Sequence, residues 1–469
     1  MQSTKTLIPA VLFAAGLTLP LTPAAQALNP QQRLARDVYQ ELVEINTVTA
    51  TGDTDRAAQA MAARLRSAGL PAADVQVLSP GPRKGNLVAR LRGSGARKPI
   101  LLLAHLDVVE AKREDWSVDP FVLLEQDGYF YGRGTGDDKF MAAAFVANLI
   151  RYKQEGFKSD RDIIVVLETD EETLDRDAVG IQWLLKNHRG SIDAEFALNE
   201  GGGVSLKDGK PLRIGVQTSE KVPVNYLLEV RNPGGHSSQP TKDNAIYRLA
   251  AGLVRLSAYD FPVTLNDTTR AWLERAAPFE EPQVAADMRA VAAGKPDSTA
   301  INRLSSKPNY NAQLRTTCVA TMLEAGHAFN ALPQTARATV NCRVLPGESL
   351  DDIQATLVRV LADPNISVTA TWKHVASAPS PLDPEIMQAI EQVSARFWPD
   401  VPIIPSMSAG ATDGSFLRNA GIPTYGHSGL ALDVADLRAH GRDERIPVKS
   451  FYDGVEYQYQ LVKALSSAK

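Results

Sequence analysis

"PILLLAHLDVV", residues 99–109, is the stretch on which the fold turns. A short, almost wholly apolar run of this kind suits a strand buried on both faces, as in a mainly parallel sheet. His105 and Asp107 close the run. Two positions apart on a strand, they would point the same way. Titratable groups ending so apolar a segment need a reason, because burying an unpaired charge is costly. One reason is a metal held by the histidine, with the carboxylate fixing its ring. The other is a strand end that reaches solvent.

The same texture recurs in "NLVARL" (86–91), "DIIVVLETDEE" (162–172) and "AEFALNE" (194–200). These runs alternate with helical stretches such as "MAAAFVANLIRYKQEG" (141–156) and "AVGIQWLLKNH" (178–188), and residues 31–69 also read as helical. The pattern predicts an α/β domain whose polar strand ends carry the site. From about 221 it changes. "VNYLLEVR", "RTTCVATML", "ARATVNCRVL" and "NISVTATW" alternate as half-buried strands, with amphipathic helices at 244–260 and 350–362. Strand, helix, strand, strand, helix, strand is the ferredoxin-like order. A helical excursion at about 262–311 interrupts it, and α/β character returns from 375. The expected organisation is a catalytic domain in two parts, 28–219 and 375–469, with an inserted α+β domain at 220–374.

The chain has 469 residues, 44% of them hydrophobic and 22% charged, with a net charge of −4. That balance and the lack of basic runs argue against a nucleic-acid partner. Residues 1–27 have one Lys, an apolar run and then Ala25-Gln26-Ala27, as in a secretory signal peptide cleaved after Ala27. An uncleaved membrane anchor is the alternative; Pro20 and the short run argue against it. Export implies a periplasmic or secreted protein in an oxidising compartment, not held to a membrane after cleavage. Cys318 and Cys342, both on expected strands, fit either a disulfide or two buried thiols.

Further acidic positions accumulate. "YGRGTGDDKF" (131–140) delivers Asp137 and Asp138 through a glycine-rich turn to a helix start. One of the two could cap the helix while the other binds a cation. Glu171 and Glu172 end a second apolar strand, and Glu200 ends a third, before three glycines. His427 and His440 are the late histidines that could join them, whereas His188, His327 and His374 read as structural. His105, Asp137, Glu171 or Glu172, Glu200 and a late histidine form a nitrogen and oxygen ligand set without cysteine. Gathered carboxylates repel unless cations bridge them, and this set suits two zinc ions, with cobalt or manganese as substitutes.

The motifs "AHLDVV", "GRGTGDDK", "ETDEE", "NEGGG", "GGHSSQP", "NALPQTARATVNCRVLPG", "GATDG" and "HGRDERI" occur in this order. Together they resemble the M20 family of metallopeptidases, which includes glutamate carboxypeptidase, carboxypeptidase S, succinyl-diaminopimelate desuccinylase and aminoacylase-like enzymes. The resemblance implies that Asp137 bridges two metals, His105 and Glu200 serving one, Glu172 and His440 the other. It implies that Asp107 orients His105 and that Glu171 is the general base for a metal-bridged water. It implies a cis bond between the aspartates, a lid that makes a homodimer, and His236 reaching an active site across that dimer. Asn330, Arg343 and Gly410 match substrate-binding positions. Two departures stand out: Phe140 where relatives have glycine, and the length of the 262–311 excursion.

The expected function is an exported dizinc hydrolase of short peptides with a free C-terminal carboxylate. The alternative is an N-acyl-amino-acid amidohydrolase. A non-catalytic periplasmic binding protein on the same fold is the reading from a different class, and the intact ligand set argues against it.

Overall fold

A computed structural model describes residues 27–173, 180–295 and 297–467. The expected signal segment up to residue 26 and the first two residues of the 178–188 helix lie outside the described residues. Among the described residues no helix is long and apolar enough to cross a membrane.

The apolar runs pair as the heart of a ten-stranded sheet. Ile163–Glu168, Ile100–His105, Phe196–Asn199 and Thr424–Gly426 lie side by side and parallel. All six residues of Ile100–His105 and of Ile163–Glu168 are buried, as expected for strands covered on both faces. The flanks are mixed: Lys84–Leu91 runs antiparallel to Ile163–Glu168, and Lys210–Glu220 antiparallel to Thr424–Gly426. Helices Pro30–Glu44, Lys139–Glu155 and Val448–Ser466 share the larger hydrophobic core with this sheet.

The 31–69 segment is two helices, not one. Pro30–Glu44 ends at Ile45, and Thr54–Ser67 restarts with the Asp53 side chain accepting from the Arg56 amide. Between them Val48 leaves helical geometry to bridge Val108 beside the first strand. The Thr-Val-Thr run at 47–49 favours extended backbone over helix.

The inserted domain has the strand order Thr317–Ala325, Thr335–Val344, Val222–Arg231, Ile366–Lys373, all antiparallel. Val224, Tyr226, Leu228 and Val230 bury one face in a core shared with helices Ala245–Ser257 and Leu350–Leu361. The other face carries Asn341, Asn225 and Trp372 directly opposite one another on three adjacent strands. Cys318 and Cys342 face each other across the first pair and form a disulfide.

Among the described residues the excursion has four α-helices, Asp267–Ala276, Pro282–Ala292, Ser298–Ser305 and Pro308–Leu314, with a short 3-10 turn at Ala277–Phe279. Trp272, Leu273, Met288 and Tyr310 form a small core that takes in Ile404, so the insertion packs on a strand of the main sheet.

Phe140 finds its explanation in packing. It is fully buried in the first turn of Lys139–Glu155 and meets Phe451 edge-on, ring centroids 5.9 Å apart. Gly454 lets the C-terminal helix close over it; a Cβ there would sit 2.5 Å from the ring.

Candidate active site

Four segments bring the acidic positions to one place. His105 is the last residue of its strand and is 2% exposed. Its Nδ1 donates to the Asp107 carbonyl at 2.9 Å. Its other ring nitrogen, Nε2, faces the acidic groups. This Nε2 lies 3.0 Å from Asp137 Oδ1 and 4.0 Å from Glu200 Oε2. The other oxygen of Asp137 lies 3.0 Å from His440 Nε2, which is also 2.8 Å from Glu172 Oε1. One carboxylate thus faces two imidazoles, one oxygen to each.

The turn that presents Asp137 is shaped by glycine and held by a distant acid. Gly134 has φ +82°, and a Cβ there would lie 2.7 Å from Val108 Cγ1. The Glu444 carboxylate accepts from Arg133 at 2.7 Å and from the amides of Gly134, Gly136 and Asp137 at 3.1, 2.8 and 3.2 Å. Tyr39 donates its hydroxyl to the Thr135 carbonyl at 2.7 Å. The Asp137–Asp138 peptide is cis. Asp138 stands at the N-terminus of Lys139–Glu155 without capping it through its side chain, and its Oδ2 is buried with no hydrogen-bond partner among the described residues.

Glu171 and Glu172 do not end the strand; it stops at Glu168. Asp170 takes a left-handed φ of 66° and pairs with Lys84, which swings the chain into the cleft. The Asp107 carboxylate then accepts the Glu171 and Glu172 amides at 3.1 and 3.0 Å. Asp107 therefore steers His105 through its backbone carbonyl, its carboxylate being 3.8 Å from Nδ1, and spends that carboxylate on the acidic loop. Glu200 is delivered by a tight crossing: a Cβ on Gly202 would lie 2.4 Å from the carbonyl oxygens of both Gly215 and Gly426.

The electrostatics follow from this crowding. Burial would raise Asp137, but hydrogen bonds from His105 and His440 hold it well below the carboxylate range. The same contacts, with Glu172, push His440 up to about 10. Burial, then the charges of Glu200 and Asp413, push Glu171 well up. Burial lifts Asp107 to about 6. His105, Glu171 and Glu200, and likewise His105, Asp137 and Glu172, each offer ligand atoms within 4.8 Å of one another. Imidazole nitrogens facing carboxylate oxygens, with an unpartnered buried oxygen on Asp138, are a donor set that divalent cations fit.

The cleft beside these groups, about 420 Å³, is also lined by Arg343, Gly410, Asn225, Trp372, His374 and Phe416. Arg343 Nε donates to Asn341 Oδ1 at 3.2 Å, and burial lowers its pKa. Glu220 clasps the loop that carries Gly410, accepting from the Thr412 amide and hydroxyl at 3.1 and 2.8 Å while pairing with Arg418 at 2.7 Å. His236 and Asn330 do not line this cleft. They lie exposed and side by side, the Ser237 amide donating to the Asn330 carbonyl at 3.1 Å. His427 is outside the cluster as well: it is fully buried between the Gly215 carbonyl, 2.9 Å, and the Tyr457 hydroxyl, 2.6 Å.

His374, expected to be structural, lines the cleft and bonds Ser415 Oγ at 2.9 Å. It had no acidic neighbours in sequence because its partners come from another segment. Glu444 and Trp372 were also missed. Glu444 sits among charged residues that read as surface, and a lone Trp ending a strand reads as core.

An α/β sheet with a buried histidine and carboxylate cluster at its strand ends, roofed by an inserted domain, defines a metal-dependent hydrolase. The model of peptidase family M20/M25/M40 matches residues 101–464, and the chain belongs to that family. Its human relative N-fatty-acyl-amino acid synthase/hydrolase PM20D1 is 32% identical over 385 residues, 78% of this chain and 74% of the relative. Human aminoacylase-1 is 24% identical over 440 residues, 92% and 95% of the two chains. Among solved structures, the M20 family metallo-carboxypeptidase of Sulfolobus solfataricus shares the fold, with a TM-score of 0.67 at 17% identity, covering 92% of this chain and 98% of that one.

Proposed function

We propose that the protein is an exported dizinc hydrolase that cleaves an amide bond next to an amino acid bearing a free carboxylate. The observation that carries this reading is Asp137, whose two oxygens each stand 3.0 Å from a different histidine, one of them His440, which lines a cleft with Glu171 and Arg343. His105 and Glu200 would hold one ion, Glu172 and His440 the other, and Asp137 both. Zinc bound there supplies a Lewis acid and lowers the pKa of water. Glu171, which lines the cleft, would take the proton from the attacking water and pass it to the leaving nitrogen. Arg343 receives the substrate carboxylate with its fork.

Short peptides and N-acyl amino acids both fit this chemistry. The similarity to a human N-fatty-acyl-amino acid synthase/hydrolase and to human aminoacylase-1 favours the second. The disulfide and the signal-like N-terminus support export. Homodimerisation through the lid is supported by its edge strand Thr317–Ala325, which leaves Val319, Met322 and Leu323 more than half exposed. It is also supported by His236 and Asn330, which lie outside their own cleft and would serve a partner's. The test is a panel of dipeptides and N-acyl amino acids on zinc-reconstituted protein. Glu171→Gln is expected to keep two zinc ions and lose about 10²–10⁴ in turnover; an active Glu171→Gln would overturn the role.

A further inference from the structure

We propose that Trp372 and Phe416 form an apolar subsite for the acyl half of the substrate. The enzyme then selects amides that join a bulky apolar acyl group to an amino acid with a free carboxylate. This inference rests on the amide-hydrolase reading above and narrows its substrate class.

Strand alternation places the parts. Asn341, Asn225 and Trp372 are directly opposite one another on three adjacent lid strands, on the face turned away from the lid helices. Arg343 lies two residues from Asn341 on the same strand and so on the same face. Neighbouring strands are about 4.8 Å apart, so Trp372 stands on a strand about 10 Å from the one bearing Arg343. At about 3.3 Å per residue that is the reach from a terminal carboxylate, across one amide, to the far end of an acyl group.

The two ends of the row differ in chemistry. At one end Arg343 Nε is held by Asn341 Oδ1 at 3.2 Å, and Asn341 Nδ2 in turn donates to Asn225 Oδ1 at 2.7 Å. That chain orients a cation. At the other end the lid strand leaves through His374, whose ring meets Phe416 edge-on, centroids 5.2 Å apart, and whose Nε2 bonds Ser415 Oγ at 2.9 Å. This contact brings helix Gly414–Asn419 to the lid, so that Trp372 and Phe416 line one cleft from two domains. The same cleft carries Glu171 and His440. Two aromatic side chains opposite an anchored guanidinium suit a ligand that is anionic at one end and apolar at the other.

The experiment measures binding without turnover. Zinc-reconstituted Glu171→Gln protein is titrated calorimetrically with N-acetylglycine, N-phenylacetylglycine and N-phenylacetylglycinamide. The phenylacetyl ligand is expected to bind at least about tenfold tighter than the acetyl ligand. Adding Trp372→Ala should cut that ratio below about threefold, Trp372→Phe should restore most of it, and Phe416→Ala should lower it independently. The glycinamide should bind weakly whether or not Trp372 is present. Zinc content and thermal midpoint identify variants that failed to fold, in which case Trp372→Phe and Phe416→Ala carry the test. A ratio near one in the parent protein, or a ratio unchanged by these substitutions, overturns the subsite. Failure of the unsubstituted enzyme to hydrolyse any acylglycine, with the binding ratio intact, overturns the hydrolase reading alone.

Discussion

Replacing Glu444 by Ala removes the carboxylate that holds the Asp137 turn. In the native protein it pairs with the Arg133 guanidinium and accepts from the amides of Gly134, Gly136 and Asp137, and it is 2% exposed. Arg133 is equally buried, so truncation leaves an uncompensated cation, a change that costs about 3–5 kcal/mol. The Gly136 and Asp137 amides are only partly buried and can recover water, while the Gly134 amide cannot and adds about 1–3 kcal/mol. A loss of about 5 kcal/mol is expected, near the lower end of a typical total stability. Glu444→Gln keeps one acceptor oxygen and should lose about half as much. The assay is urea unfolding followed by circular dichroism at fixed free zinc, with zinc content by elemental analysis. Both variants should bind less zinc, because the turn that aims Asp137 is loosened. A Glu444→Ala protein with wild-type midpoint and full zinc would refute the reasoning.

Three further outcomes are expected. Asp107→Asn puts an amide NH2 where a carboxylate oxygen accepts the Glu171 or Glu172 amide, and should weaken zinc binding about 10–100-fold in chelator competition; unchanged affinity would remove Asp107 from the loop's support. His427 is lowered to about 4, chiefly by burial, against about 6.5 unfolded. The unfolded chain therefore binds the extra proton between these values. Stability from this group is complete above about pH 6.5 and falls by about 3 kcal/mol as pH drops through 4. Urea midpoints of His427→Gln should accordingly fall less between pH 7 and 4.5 than those of the wild type, and parallel curves would contradict this. Phe140→Ala should lose about 3–5 kcal/mol in the same unfolding assay while turnover per folded molecule is kept; normal stability would show that the ring does not secure the C-terminal helix.

Much of the cluster was legible because its residues leave a local trace. His105, Glu200 and the 171–172 pair each follow a run of buried aliphatic residues, and a titratable group in that position stands out against its neighbours. Glu444 left no such trace: its burial comes from Arg133 and the turn it holds, 311 residues away from Arg133 in sequence. The second half of the aspartate pair was legible only in part. A helix start explains why an acid precedes Lys139, but not that Asp138 would leave one oxygen buried and unpartnered.

Periodicity also set the limits of the fold reading. Alternation in Val222–Arg231 and Thr335–Val344 and unbroken burial in Ile100–His105 are properties of single segments, so the mainly parallel sheet and the antiparallel lid could both be expected from them. Where a segment goes is a different matter. Which strands are neighbours settles that the two oxygens of Asp137 face His105 and His440 separately, that Asp107 gives its carboxylate to the acidic loop, and that His374 joins the cleft. Local sequence records which residues will be buried, since burial follows from side-chain chemistry and repeat. It does not record which distant groups will share one buried space, because that depends on strand order, loop path and the packing of two domains together.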